Sequence, residues 1–419
     1  MKATHSVNEA AAHVGGKTLR QNRAFVFLIS GNTIAVFGDC FSGVALSLWV
    51  LQTTGSAKMM AAVQICYMVV NVLLGSFAGT VTDLLDRRMA MLVSDMLRAT
   101  IAAMLGISLF LLHAPFYVML VLVTVSAFSS LFQAPAFHTS VTHLVGRDRL
   151  QEATSIIHLT DNIARIAGLS MAGVIVALFG GFAAMLANSA TFLLSAACVL
   201  AAGKFTSPQA QRREQESVSL LKEWRQGLAY IVRDPLTRSL LLLNPLLIMF
   251  FMSSLMLIQV LAVNSWKAGP ISFGLIEMCI PLGYMLGAGM IIGLAKRLGR
   301  RGWLIFAGML LLGPIFSLIA MMDSALPALP FILLGGILFA FCSMLMQIIL
   351  RTEVQIEMQG RIYGFMGAVT SVAPMLGLTV SSVLADRHGV HLVLGWQGLL
   401  MLIVGTAACL LFAPIRTYN

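Results

Sequence analysis

GTVTDLLDRRMAML (Gly79 to Leu92) and GLAKRLGRRGWLI (Gly293 to Ile305) are short basic turns, each caught between long apolar runs. Each follows the second apolar run of its half of the chain. Two runs further on the echo returns, as LVGRDRLQEATS (Leu144 to Ser155) and EVQIEMQGRIYGF (Glu353 to Phe365). Outward from these turns, twelve apolar segments can be marked, near 24–51, 59–82, 90–112, 116–139, 153–178, 182–203, 239–263, 272–295, 303–322, 327–350, 362–385 and 393–414. Most are long enough to cross a hydrocarbon core of about 30 Å at about 1.5 Å per residue. The expected fold is an all-α polytopic membrane protein with twelve transmembrane helices in two pseudo-symmetric six-helix bundles.

Composition agrees. Of the 419 residues 58% are apolar and 11% charged, with mean hydropathy +0.90. A soluble domain is about 45–50% apolar and about 25% charged, so this chain lacks the polar surface to cover itself in water, and the soluble classes are excluded. The net charge of +10 reads as basic inner loops holding topology and not as a nucleic-acid footprint. With the N-terminus inside, 22 of the 27 Lys and Arg fall in inner segments and three (Lys58, Lys267, Arg387) in outer loops. Both termini are therefore expected in the cytoplasm, and the chain in the cytoplasmic (inner) membrane of a bacterium. The polar N-terminus has no apolar core or cleavage site, so no signal peptide is expected. Six cysteines lie in apolar segments without CxxC spacing and read as small buried residues.

The one long break, 204–238, divides the chain into a bundle at 1–203, a cytoplasmic linker and a bundle at 239–419. Leu220, Leu221, Trp224, Leu228 and Ile231 suit an amphipathic helix lying on the inner membrane surface. Six-plus-six organisation with repeated basic turns is a transporter pattern.

At these turns the sequence resembles the major facilitator superfamily. The loop motif Gly-x-x-x-Asp-Arg-x-Gly-Arg-Arg is met by Gly79, Asp83, Arg87 and Arg88, with Leu84 for the first Arg and Asp86 for the Gly. Asp86-Arg87-Arg88, FGDCFSGVALSLWVLQTTGS and EWRQGLAYIVRDPLTRSLLLL look like the twelve-span branch of macrolide and siderophore exporters. The resemblance implies a secondary efflux carrier for amphipathic small molecules such as drugs and macrolide-like compounds, working as a proton antiporter by alternating access. It is not an enzyme. One departure is Ala167-Gly168-Leu169-Ser170-Met171-Ala172-Gly173, where antiporters of the superfamily commonly carry Gly-Pro-x-x-Gly-Gly. The missing proline weakens the antiport inference, while the small residues still allow close helix contact.

Charged side chains within spans are costly and point to function. Asp39 lies in span 1 and Glu277 in span 8, both placed in the outer half of the membrane. Each is a candidate for proton or cation coupling, the alternative being a helix–helix hydrogen bond. Asp161 and Arg165, four apart on span 5, share a face. They read as an anion contact, a switch or a static pair. Asp95 and Arg98, near the inner end of span 3, join Asp83, Arg87 and Arg88 in a conformational charge cluster. Because spans 1, 4, 7 and 10 line the cavity in the superfamily, Asn32, Gln133, Asn244, Gln259 and Gln347, with Met252 and Phe341 as apolar lining, are also candidates for substrate contact. His388 and His391 are weak evidence for a metal, and no Walker A loop, HExxH or Gly-x-Ser-x-Gly elbow occurs. The expected partners are a small-molecule substrate, protons and the lipid bilayer, with no cofactor, metal or nucleic acid, the chain acting as a monomer. The competing readings are a siderophore or peptide-metabolite exporter, a metal-ion exporter, and a non-transporting sensor or scaffold.

Overall fold

The computed structural model describes residues 19–203, 228–294, 299 and 301–416; the side chain of Asp83 is outside this description. Among the described residues the regular structure is helical, and eleven helices are long and apolar enough to cross a membrane. They are α1 (Arg23–Thr54), α2 (Ala57–Leu84), α3 (Arg87–Gly106), α4 (Phe116–Val145), α5 (Leu150–Ala201), α6 (Pro235–Asn264), α7 (Pro270–Leu294), α8 (Arg301–Ala320), α9 (Ala325–Glu353), α10 (Ile356–His388) and α11 (Val390–Leu411).

Two helix starts are capped by an aspartate. Asp86 caps α3 by accepting from the backbone N–H groups of Arg88 and Met89 at 2.9 and 3.2 Å, groups that a helix start otherwise leaves unpaired. Asp234 does the same for α6 through the N–H of Thr237 at 2.9 Å, with Pro235 at the position where its missing N–H costs nothing. Most of the expected linker helix, including Leu220, Leu221 and Trp224, lies outside the described residues; 228–233 is helical, with Ile231 buried and Leu228 exposed.

Segments five and six of the sequence both fall on α5, a run of 52 residues. A straight helix of that length would span about 78 Å, more than twice the hydrocarbon core. Gly180 breaks it, at φ 81° and ψ 170°, a conformation open to glycine and strained for other residues.

The described residues form two compact units. One draws on 19–42, 73–168 and 179–203, the other on 43–72, 169–178, 228–294, 299 and 301–416. The division cuts through α1, α2 and α5. In the first unit Phe25 and Leu28 of α1, Met91 of α3, Phe137 and Val141 of α4 and Ile157 of α5 share one apolar core. Gly168 of α5 presses on α1, where a Cβ would stand 2.7 Å from the Phe37 carbonyl oxygen. In the second unit Phe251 of α6 stacks on Phe339 of α9 with ring centroids 3.8 Å apart. There Gly173 meets α7, and a Cβ would stand 2.5 Å from the Pro270 carbonyl oxygen. The glycines at both ends of the proline-free run are therefore close helix contacts, as small residues in membrane helices commonly are. Large apolar side chains such as Leu178, Phe179, Ile292 and Leu410 stand exposed, a surface suited to lipid and not to water.

Candidate functional site

The polar centre of the first unit is built around Arg98. Its Nη2 donates to both carboxylate oxygens of Asp39, at 2.9 and 2.8 Å, and its Nη1 to Gln133 Oε1 at 3.0 Å. The guanidinium also lies over the Phe192 ring, 4.1 Å from its centroid, a favourable cation–π placement. Helices α1, α3, α4 and α5 thus each contribute one side chain. Exposure is unequal: the Arg98 side chain is 10% exposed and that of Asp39 45%. The cation is fixed, while its carboxylate partner offers an open edge. A proton or an organic cation that reaches Asp39 competes with Arg98 for it.

The sequence puts Asp39 and Arg98 in separate groups; the structure joins them. Asp39 stands halfway along α1. Asp95 is fully buried and accepts from Ser195 Oγ at 2.7 Å. Arg87 is buried at the start of α3, and Arg88 Nη2 donates to the Leu200 carbonyl at 3.0 Å. Arg98 reaches across the unit to Asp39 and Gln133, while Asp83, another member of the expected charge cluster, has its side chain outside the described residues.

Asp161 is hydrogen-bonded elsewhere than to Arg165, whose charge still acts on it. Asp161 Oδ1 accepts from Asn32 Nδ2 at 2.7 Å, and among the described residues no salt bridge joins it to Arg165, which is exposed one turn further on. Asn32 and Asp161, both cavity candidates, are thereby brought together.

The second unit holds a chain of amides ending on a carboxyl. Gln64 Nε2 of α2 donates to Gln259 Oε1 of α6 at 3.0 Å, and Gln259 Nε2 donates to Glu277 Oε1 of α7 at 2.8 Å. Asn244 is buried on α6 with its Oδ1 unpartnered. Met252 and Phe341 are half-buried and Gln347 is exposed, apart from this chain. His391 is engaged by the Ala320 carbonyl at 2.7 Å, and the His388 ring lies 5.7 Å from that of Trp396.

Several contributors escaped the sequence reading. Gln64 was visible as a lone amide in an apolar run; Ser195 and Phe192 sit in an ordinary apolar stretch with no signal. Asp386, near the end of α10, lies just past the apolar segment marked at 362–385. Its carboxylate accepts from Ser56 Oγ and the Ala57 N–H, both at 2.8 Å, with Lys58 Nζ at 3.8 Å. Beside it Asn264 Nδ2 donates to the Gly55 carbonyl at 2.7 Å. Asp386 therefore caps the start of α2 from a distant part of the chain. Asp386→Ala should cost about 1 kcal/mol of capping, which corresponds to about fivefold faster amide exchange at the start of α2. Peptide-level hydrogen exchange over residues 55–60 checks this, and unchanged exchange would show that the cap carries no weight.

Comparison with known proteins agrees with this architecture. Residues 18–417 match the family described as transmembrane secretion effector. The MFS-type transporter YfiS of Bacillus subtilis is 27% identical over 399 residues, covering 92% of each chain. Macrolide efflux protein A of Streptococcus pyogenes is 20% identical over 374 residues, covering 88% of this chain and 90% of its own. The structure of a bacterial homologue of the human lysosomal transporter Spinster, inward-facing and unoccupied, superimposes with a TM-score of 0.73 at 12% identity, over 96% of this chain and 98% of that one. The helical architecture and the full-length match together make this chain a membrane transporter of the transmembrane secretion effector family, within the major facilitator superfamily.

Proposed function

We propose that the chain is a secondary efflux carrier that exports amphipathic small molecules, drugs and macrolide-like compounds among them, in exchange for protons. The observation that carries this reading is the half-exposed Asp39 carboxylate held by the buried Arg98 in the interior of the first unit. An ionisable group so placed in a membrane protein is expensive to keep and suits a coupling role. Glu277, bonded to Gln259, is the second coupling candidate. In this reading the break at Gly180 turns α5 into two crossings, giving twelve, and the basic turns put both termini in the cytoplasm of a bacterial inner membrane. The carrier works as a monomer. Proton binding biases the equilibrium between inward- and outward-open states, and it does so only to the extent that the two states bind protons differently.

A siderophore or peptide-metabolite exporter is favoured by one further observation: Arg165 is exposed, so an anionic group can reach its cation, while Asp161 bonds to Asn32. Purified protein in proteoliposomes tests both. An erythromycin-type macrolide, tetraphenylphosphonium and a catecholate siderophore are loaded with and without a pH gradient. Gradient-dependent flux of the first two supports drug efflux, and flux of the siderophore alone supports the second reading. No flux of any compound at any gradient would identify a scaffold or sensor and end the efflux reading.

A further inference from the structure

Asp95 has no task in the exchange just described, and its surroundings set it apart. It is 0% exposed and lies three residues before Arg98 on α3, a spacing that makes neighbours on a helix surface. Its Oδ2 accepts from Ser195 Oγ at 2.7 Å, but its Oδ1 is buried without a partner. Arg98 is in the complementary condition: both Nη atoms are engaged, by Gln133 and Asp39, while the buried Nε has no partner. A buried acceptor and a buried donor are thus left unmade on one helix, an arrangement that is costly to keep. The groups that act on Asp95 are Arg98 on its own helix, Asp39 from α1, and Ser195 and Cys198 from α5.

Asp39, Asp95 and Arg98 are two acids and one base. The guanidinium compensates one carboxylate at a time, and a second uncompensated carboxylate inside a membrane protein is costly. Charge balance therefore leaves one proton in the cluster, on whichever acid Arg98 does not hold.

Resting on the efflux reading, the geometry points to Asp95 as the alternate partner of Arg98, which takes over the guanidinium when an organic cation binds Asp39 and gives up its own proton in exchange. Before binding, Arg98 holds the Asp39 carboxylate and Asp95 carries the proton. The incoming cation pairs with Asp39, and Arg98 turns its free Nε and the released Nη2 toward Asp95. The Asp95 O–H bond breaks, its electron pair stays on the carboxylate, and the proton leaves to water past the half-exposed Asp39. One positive charge enters the cluster and one leaves. Asp95 never touches the cation, so it is a positioning residue that makes cation and proton binding mutually exclusive.

The test uses full-length purified protein and tetraphenylphosphonium, a cation without a titratable proton. In the wild type, affinity should rise about tenfold per pH unit while Asp95 is protonated, with about one proton released into weak buffer per cation bound. Asp95→Asn should bind the cation with a flat pH profile and release no proton. A purely structural Asp95 would alter expression or melting and leave the slope untouched. Should Asp95→Asn fail to fold, the same exchange is read by difference infrared spectroscopy in a Glu277→Gln background. There a protonated-carboxyl band should vanish on cation binding, and its persistence would overturn the proposal. A pH slope kept in Asp95→Asn overturns the exchange alone. No binding to the wild type overturns the cation site at Asp39 and the exchange with it.

Discussion

Asp39→Asn will lower pH-gradient-driven flux of tetraphenylphosphonium in proteoliposomes by roughly tenfold or more, the ratio produced by losing about 1.4 kcal/mol of discrimination between states. Expression and insertion should hold, because an amide is nearly isosteric and Asp39 is 45% exposed. The charge is what the substitution removes. Arg98 then has no carboxylate at Asp39 to leave, and a cation or proton arriving there has nothing to displace. Glu277→Gln is the matching control. Its amide preserves the hydrogen bond with Gln259, so the expected change is under about 1 kcal/mol, within about fivefold in rate. The reverse pattern, in which Glu277→Gln stops gradient-driven flux and Asp39→Asn does not, would move the coupling site to the second unit.

The helical class was legible because hydrocarbon imposes it: long runs with few charges leave little choice but helices. The helix starts at Asp86 and Asp234 went unread, although each rests on a local cap. The sites were legible only as an inventory. Six charged residues inside apolar runs drew attention, and Asp39, Asp95 and Arg98 are among them, but their partnership was not visible. Sequence spacing reports neighbours on one helix, so Asp95 and Arg98 were grouped, as were Asp161 and Arg165. The bonds that Asp39 and Asp161 make come from other helices, 59 and 129 residues away in the chain. Neutral side chains were harder still. Nothing in ATFLLSAAC distinguishes Ser195, whose hydroxyl holds Asp95, from serines that merely bond back to their own helix.

Removing Arg98 should be more damaging than removing Asp39, and the damage should be reparable without restoring transport. Arg98→Met takes away the donor to both Asp39 oxygens and to Gln133, and the cation over Phe192. It leaves two carboxyls facing an apolar interior with no base between them. Breaking a buried pair on one side costs about 3–5 kcal/mol, and the open edge of Asp39 places the expected loss near the lower figure because water can reach the stranded carboxylate. Adding Asp39→Leu removes that stranded charge, and exchange of a buried pair for apolar residues is often neutral. The double variant should therefore recover most of the lost unfolding midpoint, measured at one fixed scan rate in one detergent because such unfolding is rarely reversible. Gradient-driven flux should stay at background in both. A double variant as unstable as Arg98→Met alone would mean that Arg98 serves the fold through Gln133 and Phe192 and not through Asp39. A double variant that still transports with the gradient would remove the pair from the coupling mechanism. The contrast separates what the pair does for the fold from what it does for transport, since apolar replacement can restore packing but supplies no group that exchanges a proton for a cation.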